Sequence, residues 1–262
     1  KYFRKSRWMF SLKRMKEVTK LSVNVNKIAL LRNSRGRNFP DLIEHIERLI
    51  AMGVKGVTVH PRPDERHVTR QDVYDISNCL RSYSGVEFNI EGYPSKQFLE
   101  LVVDVVPDQC TLVPDAPGQL TSDHGWDIPA NRALLLDVNA MLGQENIRSS
   151  LFLDPIPDLV NEAQAVGSAR IELYTEQYAS KFNTEDELSV WQTYSDTAFR
   201  ASELNIGVNA GHDLDLSNLA RFLEIEGILE VSIGHALVVE SIQSGMESVI
   251  KKYLAIASGV SS

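Results

Sequence analysis

The chain has only two cysteines, Cys79 and Cys110, in 262 residues. They supply neither a disulfide framework nor the ligand spacing of a metal site, so a reducing cytoplasm is the expected setting. No uninterrupted apolar run approaches the roughly 18 residues that a membrane span requires. With 43% hydrophobic and 24% charged residues, the composition is that of an ordinary globular protein. A membrane-spanning or disulfide-stapled protein is therefore not expected.

Positive charge is scarce outside the first twenty residues. Residues 1–20 hold eight Lys or Arg and one Glu, so they carry +7, and the remainder carries −15 of a net charge of −8. An acidic body is a poor nucleic-acid binder, and an anionic substrate would need local arginines. The basic start lacks the apolar centre of a signal peptide. We interpret residues 1–20 as a basic N-terminal extension and place the catalytic domain in 21–262.

Short apolar strands alternate with helical segments through this domain. The predicted strands are 21–25, 56–60, 86–90, 109–113, 147–154, 169–175, 205–211 and 228–234. Helices are predicted over about 40–53, from Thr69 (with Asp72 completing a capping box), from the Ser95 cap, over 130–142, 157–166, 188–204 and 214–222, and through 250–253. The segments 26–38 and 176–188 are predicted to be polar loops.

Eight strands in regular alternation with helices predict a single (β/α)8 barrel. An open doubly wound sheet is the alternative, but no glycine fingerprint follows the first strand to support a dinucleotide site. The segment 114–129 is long and rich in Pro, Gly, Asp and Ser. Such a loop is uncommon in a compact domain unless it covers a binding site. We therefore predict a lid after the fourth strand.

The stretch TVHPRPDERH, residues 58–67, carries the strongest functional signal. It follows the end of the second predicted strand and places His60 and His67 on either side of Arg62. Its two prolines remove backbone donors, so the strand cannot continue and the polar side chains belong to a rigid loop. Imidazoles that titrate near neutrality, beside a permanent cation, suit proton transfer next to a phosphate. A solvated basic loop is the alternative.

Other polar residues recur where the predicted strands end, the face on which barrels bind ligands. They are Asn24, Asn26, Lys27 and Arg35 after strand one, Glu91 at strand three, Thr121 in the long loop, Glu172 at strand six, His212 after strand seven, and Gly234 with His235 after strand eight. Glu91 ends an apolar strand, where a carboxylate is costly unless it is paired or used. Glu172 should point into the barrel, as a structural ion pair or a catalytic group. The glycine-bearing loops after strands seven and eight predict a backbone phosphate site.

These residues alone leave several functional classes open. A phosphosugar lyase or isomerase fits the barrel, and a Schiff-base aldolase could use Lys27. A metal hydrolase could use His60, His67, Glu91 and His212, but the His-x-His spacing is missing and the nearby arginines disfavour a cation. A barrel that binds a phosphometabolite without turnover is the non-enzymatic alternative.

Taken together, the segments NVNKIALLRNSRG, GVTVHPRPDERHV, FNIEGYPS, TLVPDAPGQLTSDHGWD, VNAGHDL and SIGHA resemble the pyridoxine 5′-phosphate synthase family. The resemblance runs from about Leu21 to the C-terminal helix. It implies that 3-amino-2-oxopropyl phosphate condenses with 1-deoxy-D-xylulose 5-phosphate to give pyridoxine 5′-phosphate, inorganic phosphate and water. It also implies a homo-oligomer, an octamer in this family, and acid–base chemistry without a metal or an organic cofactor.

The resemblance further implies a role for each matching position. His60 and Glu91 would be bases, His212 the proton donor and Glu172 the group that stabilises the transition state. The aminoketone phosphate would be held by Asn24, Arg35, Asp213, Gly234 and His235, and the deoxyxylulose phosphate by Asn26, Lys27, Arg62, His67 and Thr121.

Two positions depart from the family pattern. Some members have Asp-His where this chain has Asn26-Lys27, and a glycine is familiar where this chain has Asp213. Asparagine cannot act as a base, so residue 26 is expected to contribute only hydrogen bonds. An aspartate at 213 is tolerable only if its backbone, and not its carboxylate, faces the phosphate.

Overall fold

The computed structural model describes residues 18–115 and 122–259. Eight parallel strands close into a barrel in chain order. They are β1 (Lys20–Asn24), β2 (Gly56–Val59), β3 (Glu87–Gly92), β4 (Gln109–Leu112), β5 (Arg148–Leu153), β6 (Arg170–Tyr174), β7 (Gly207–Gly211) and β8 (Ile228–Ile233). The prediction of a (β/α)8 barrel is confirmed.

Helices cover the outside of the barrel. They are α1 (Asn26–Asn33), α2 (Leu42–Ala51), α3 (Arg70–Leu80), α4 (Lys96–Val105), α5 (Ile128–Gln144), α6 (Pro157–Ala165), α7 (Glu176–Lys181), α8 (Glu187–Glu203), α9 (Leu219–Phe222), α10 (His235–Ser244) and α11 (Met246–Ala257). None of these helices is long and apolar enough to cross a membrane.

The prediction of polar loops at 26–38 and 176–188 was wrong, because α1 and α7 occupy part of each. Both helices are short, and each turns only a few apolar side chains inward: α1 buries Ile28 and Ala29, and α7 buries Tyr178. One or two turns are too few for a helical period to emerge from the sequence. A single helix was predicted at the C-terminus, whereas the structure has two, α10 and α11. They meet at Gly245, which has φ +81°.

The predicted helix starts at Thr69 and Ser95 are confirmed. Thr69 and Asp72 form the reciprocal capping box of α3, and the Ser95 hydroxyl accepts from the Phe98 N–H at 3.3 Å. The Asp72 carboxylate also receives the Arg32 guanidinium, with N–O distances of 2.5 and 2.7 Å. Because Asp72 holds it there, the Arg32 side chain ties the end of α1 to the start of α3.

The apolar core lies between the sheet and the helices, whereas the barrel interior is polar. On β2 and β6 the residues that face the helices are fully buried and apolar, for example Val57 and Ile171. The alternate residues face inward, and Asn209 of β7 donates to the Gln109 carbonyl of β4 at 3.2 Å across the barrel. Barrel interiors are more often filled with branched apolar side chains. The strands are therefore amphipathic, with one face for packing and one for polar groups.

Candidate active site

Two asparagine side chains tie together the C-terminal ends of the first three strands. The side-chain Oδ1 of Asn26 accepts the backbone N–H of His60 at 3.0 Å. The side-chain Oδ1 of Asn24 accepts the backbone N–H of Asn26, also at 3.0 Å. The Asn24 amide donates to Glu91 Oε2 at 3.4 Å. These bonds place the His60 loop beside the Glu91 carboxyl. The predicted hydrogen bond of Asn26 to a substrate stays a prediction.

A buried ion pair connects the loop after β2 to the loop after β4. Arg62 Nη2 donates to Asp115 Oδ2 at 2.7 Å, and the exposed fractions of the two side chains are 8% and 4%. Ser122 Oγ donates to the same oxygen at 2.9 Å. Among the described residues, Oδ1 of Asp115 has no hydrogen-bond partner. The guanidinium is thus held at a fixed position by a carboxylate at the base of the long loop.

Burial and neighbouring cations keep the two histidines of the β2 loop neutral. Burial first, and then Arg62, lower the pKa of His60 well below its ordinary value. The same two causes lower the pKa of His67 to about 4, and its Nδ1 accepts the Val68 N–H at 2.9 Å. A neutral imidazole can accept a proton, so His60 is chemically fit to be a base.

We expect the free energy of unfolding to fall by about 1 kcal/mol between pH 7 and pH 5 because of His67, after allowance for solvent screening. The unfolded imidazole binds a proton near its ordinary pKa of 6.5, whereas the folded one does so only near 4. Acid therefore favours the unfolded chain within this window, and the stability returns as the pH rises. Urea unfolding at several pH values measures the slope.

The variant that isolates this contribution is His67→Gln, which should remove its share of the pH dependence. An unaltered slope in His67→Gln would contradict the assignment.

Two acidic side chains face the barrel mouth from strands that are not neighbours. Burial, and then Glu172, raise the pKa of Glu91 well above its ordinary value. Burial, and then Glu230, raise the pKa of Glu172 to about 8. Thr111 Oγ1 lies 3.3 Å from Glu172 Oε2. A carboxyl whose pKa is raised toward neutrality can both take and return a proton during a reaction near pH 7.

His212 lies in a strained but well-supported loop after β7. It has φ +84° and Asp213 has φ +56°, which non-glycine residues rarely adopt. Thr175 Oγ1 donates to the Gly211 carbonyl at 2.6 Å and also contacts the His212 carbonyl, while Asn218 donates to the Asp213 carbonyl at 3.1 Å. Such strain persists where the surroundings over-determine it, and often at functional sites.

Aromatic rings fix the plane of the His212 imidazole. It packs edge-on against Phe152 at 5.6 Å and against Tyr174 at 5.1 Å between ring centroids. Burial lowers the pKa of His212. The Asp213 carboxylate is about half exposed, with one oxygen 4.0 Å from His212 Nδ1.

The end of β8 brings the backbone of Gly234 against Asn24. A Cβ at Gly234 would lie 3.0 Å from the Asn24 Cβ, so a side chain there would displace the asparagine. The helix α10 begins at the next residue, His235. Its unpaired N–H groups therefore start at the barrel mouth, where an anion can be bound.

Some predicted site residues are not joined to this cluster. Lys27, Arg35 and His235 are exposed, and no contact of their side chains with His60, Glu91 or Glu172 is found within the described ranges. Thr121 lies outside the described residues. In residues 18–115 and 122–259 there is no group of three or more His, Cys, Asp or Glu side chains that could hold a metal.

Sequence reasoning missed several residues that shape the site. Asp115 lies three residues after the end of β4, at the barrel mouth, but it was taken as part of a polar loop. Phe152 is the penultimate residue of β5 and Tyr174 the last of β6, and both rings contact His212. Alternation along these strands could have indicated that both rings face inward, but not which imidazole they contact.

Comparisons with known proteins give matches that cover the whole length of the barrel. The family model described as pyridoxal phosphate biosynthesis protein PdxJ matches residues 21–259. The pyridoxine 5′-phosphate synthase of Bacteroides thetaiotaomicron is 47% identical over 237 residues, covering 90% of this chain and 98% of that protein. That of Leptospira biflexa is 43% identical over 254 residues, with coverages of 92% and 98%.

Solved structures share the fold at low sequence identity. A protein from Aquifex aeolicus VF5 has a TM-score of 0.64 at 12% identity and covers 96% of both chains. Phosphoribosyl anthranilate isomerase from Thermotoga maritima has a TM-score of 0.59 at 12% identity, covering 92% of this chain and 99% of that one. Both likenesses concern the architecture alone.

Proposed function

The chain belongs to the family of the pyridoxal phosphate biosynthesis protein PdxJ, and we propose how the site described above carries out pyridoxine 5′-phosphate synthesis. The substrates are 3-amino-2-oxopropyl phosphate and 1-deoxy-D-xylulose 5-phosphate. The observation that carries this proposal is the convergence of His60, Glu91, Glu172 and His212 from four different strands on one barrel mouth.

The reaction needs proton transfers at several atoms, and each positioned acid or base contributes roughly 10²–10⁴-fold. The amine attacks a ketone, the imine tautomerises, phosphate leaves, and a second carbonyl is attacked. We assign His60 and Glu91 as the bases. His212 serves as the proton donor, and since burial keeps it neutral at rest, it must first take up a proton released earlier in the cycle.

Two phosphorylated substrates require two anion sites at the mouth, and the two proposed here follow β2 and β8, the strands on either side of β1. On one side, Arg62 offers a buried guanidinium, with Asn26, Lys27, His67 and Thr121 assigned to the deoxyxylulose phosphate. On the other, the N-terminus of α10 offers backbone N–H groups. Asn24, Arg35, Asp213, Gly234 and His235 are assigned to the aminoketone phosphate.

Asp213 is compatible with that second anion site. Its carboxylate is about half exposed, and both Asp213 and the preceding His212 have a positive φ. The Asp213 backbone carbonyl accepts the Asn218 amide at 3.1 Å, which holds the loop backbone in place. The carboxylate can therefore remain in solvent while the backbone faces phosphate.

We further propose a cytoplasmic homo-oligomer, an octamer as the resemblance implies. Both cysteines are free thiols, which suits a reducing compartment. Large apolar side chains remain exposed on this chain, including Phe39 at 80% and Ile242 at 78%. Sedimentation equilibrium tests the assembly, and a monomer at micromolar concentration would contradict it.

Ring formation by the purified protein is the direct test of the function. With both phosphorylated substrates and a chelator present, we expect the absorbance of a new pyridine ring and one inorganic phosphate for each ring. Omission of either substrate is the control. Saturable binding of a substrate without any ring would reduce the protein to a phosphometabolite-binding barrel and would overturn the proposal.

A further inference from the structure

The backbone changes from strand to helix beside the loop that carries His60. β1 ends at Asn24 and α1 begins at Asn26. The carbonyl between them, that of Val25, accepts two N–H groups of the first turn of α1, each at 3.1 Å. A carbonyl oxygen has two lone pairs, so this one is fully used within the helix. A further bond from this point of the chain to the end of β2 must therefore come from a side chain.

The side chain of Asn26 supplies that bond. His60 is the first residue after β2, and its backbone N–H donates to Asn26 Oδ1 at 3.0 Å. A backbone N–H can only donate, so the oxygen of the Asn26 amide, and not its nitrogen, must face His60. His60 is only 8% exposed. Since buried N–H groups need a partner, this acceptor fixes where the His60 backbone lies.

Asn26 is itself held on its other side. Its backbone N–H, one of the first in α1, donates to Asn24 Oδ1 at 3.0 Å. The Asn24 nitrogen then faces Glu91 Oε2 at 3.4 Å. A Cβ on Gly234 would lie 3.3 Å from the Asn24 Cγ, so the backbone after β8 confines this amide. Hydrogen bonds thus connect Glu91 to His60 through two asparagines.

We propose that Asn26 is a positioning residue for His60, which its side-chain oxygen holds at a fixed place relative to Glu91. This role goes beyond the assignment of Asn26 to the deoxyxylulose phosphate, to which only the side-chain nitrogen could donate. The kinetic part of the inference rests on the proposed function, whereas the hydrogen bond to His60 does not.

The neutrality of Asn26 matters for the charge around His60. Burial is the largest cause of the lowered pKa of His60, followed by cations and imidazoles that face it, namely Arg62, His67, His212 and Arg66. An aspartate at position 26 would accept the same backbone bond but would add a negative charge. In a buried site, that charge favours the protonated imidazole and raises its pKa. The amide therefore holds the base without promoting its protonation.

Hydrogen exchange of the His60 backbone N–H tests the bond without any substrate. In Asn26→Ala, we expect this N–H to exchange about tenfold faster than in the wild type, since it loses its acceptor. In Asn26→Asp, which keeps an oxygen at the same place, the rate should stay within about twofold of the wild type. Unchanged exchange in Asn26→Ala would overturn the inference.

The same two variants separate positioning from substrate binding. At mildly alkaline pH, Asn26→Ala should lower kcat about 10–100-fold because the base is misplaced, while the Kd for 1-deoxy-D-xylulose 5-phosphate changes only a few-fold. Asn26→Asp should keep kcat within a few-fold of the wild type. A side chain that acted by donating to the substrate would lose its donor in both variants. Equal losses in both, with a raised Kd, would therefore contradict the positioning role.

The pH profile gives a readout that a purely structural role would not move. In Asn26→Asp, we expect the acidic limb of kcat/KM to move about one pH unit toward alkali. His60 must be neutral to act as a base, and a raised pKa leaves it protonated up to a higher pH. A limb that stays in place would show that position 26 does not influence the base.

Asn139→Ala is the matched control. Asn139 is a buried asparagine on α5, and its amide donates to the Val166 carbonyl at 2.8 Å. This variant should lose stability but keep the wild-type kcat and the wild-type exchange of the His60 N–H. A wild-type protein that forms no ring would contradict the proposed function, and the exchange measurement would still decide whether Asn26 holds His60.

Discussion

Glu91→Gln should lower kcat for ring formation by about 10³-fold, within the range that a positioned base contributes. Glutamine keeps the size of the side chain and can still bond to Asn24, but it cannot take a proton. Because the loss arises in the chemical steps, the Kd values of the two substrates should change only a few-fold. Steady-state kinetics and equilibrium binding of each substrate measure the two effects separately.

Glu87→Gln is the matched control, because Glu87 lies on the same strand at the opposite end of the barrel. Its carboxylate forms ion pairs with Lys20 and Arg148. We expect this variant to lose stability but to keep kcat within a few-fold. A Glu91→Gln enzyme that retains even a tenth of the wild-type kcat would remove Glu91 from the mechanism.

The second large effect concerns the buried pair of Arg62 and Asp115. Arg62→Met should destabilise the protein by about 3–5 kcal/mol, since it leaves a buried carboxylate without its cation. It should also raise the Kd for 1-deoxy-D-xylulose 5-phosphate about 100-fold, because charge-assisted bonds to the phosphate are lost. Urea unfolding and calorimetric binding give the two numbers.

A double variant separates the structural part of this effect from binding. Arg62→Met combined with Asp115→Leu replaces both charges with apolar groups, which is often neutral for stability. We expect the unfolding free energy to recover while the weak binding persists. Recovery of binding together with stability would show that Arg62 acts only through the fold and does not touch the phosphate.

The regular parts of the fold were predictable because their signals are local. The apolar run of β2 and the caps at Thr69 and Ser95 depend on neighbouring residues, and each was confirmed. The helix α1 was not predicted, since two turns with two buried residues give no clear period. The local sequence pattern therefore predicted the strands well but missed the short helices α1 and α7.

The candidate site was only partly predictable, for a different reason. Barrel geometry alone implied that residues at the strand ends, such as His60 and Glu91, would converge. The contacts that set their chemistry depend on register and on distant partners. Thr111 and Glu172 are 61 positions apart, and their strands are not neighbours. Arg62 and Asp115 are 53 apart and meet through two loops.

The polar barrel interior has a consequence for how such a protein can change over evolution. Stability resides mainly in the apolar layer outside the sheet, where a large-to-small substitution costs about 2–5 kcal/mol. The inward side chains of the same strands contribute one or two hydrogen bonds apiece, each worth about 1 kcal/mol. Inward positions such as Asn89 and Thr111 can therefore vary at modest cost, one at a time, provided that each change keeps its donors and acceptors matched. Substitutions inside the barrel can therefore change which side chains carry a proton while the fold is retained.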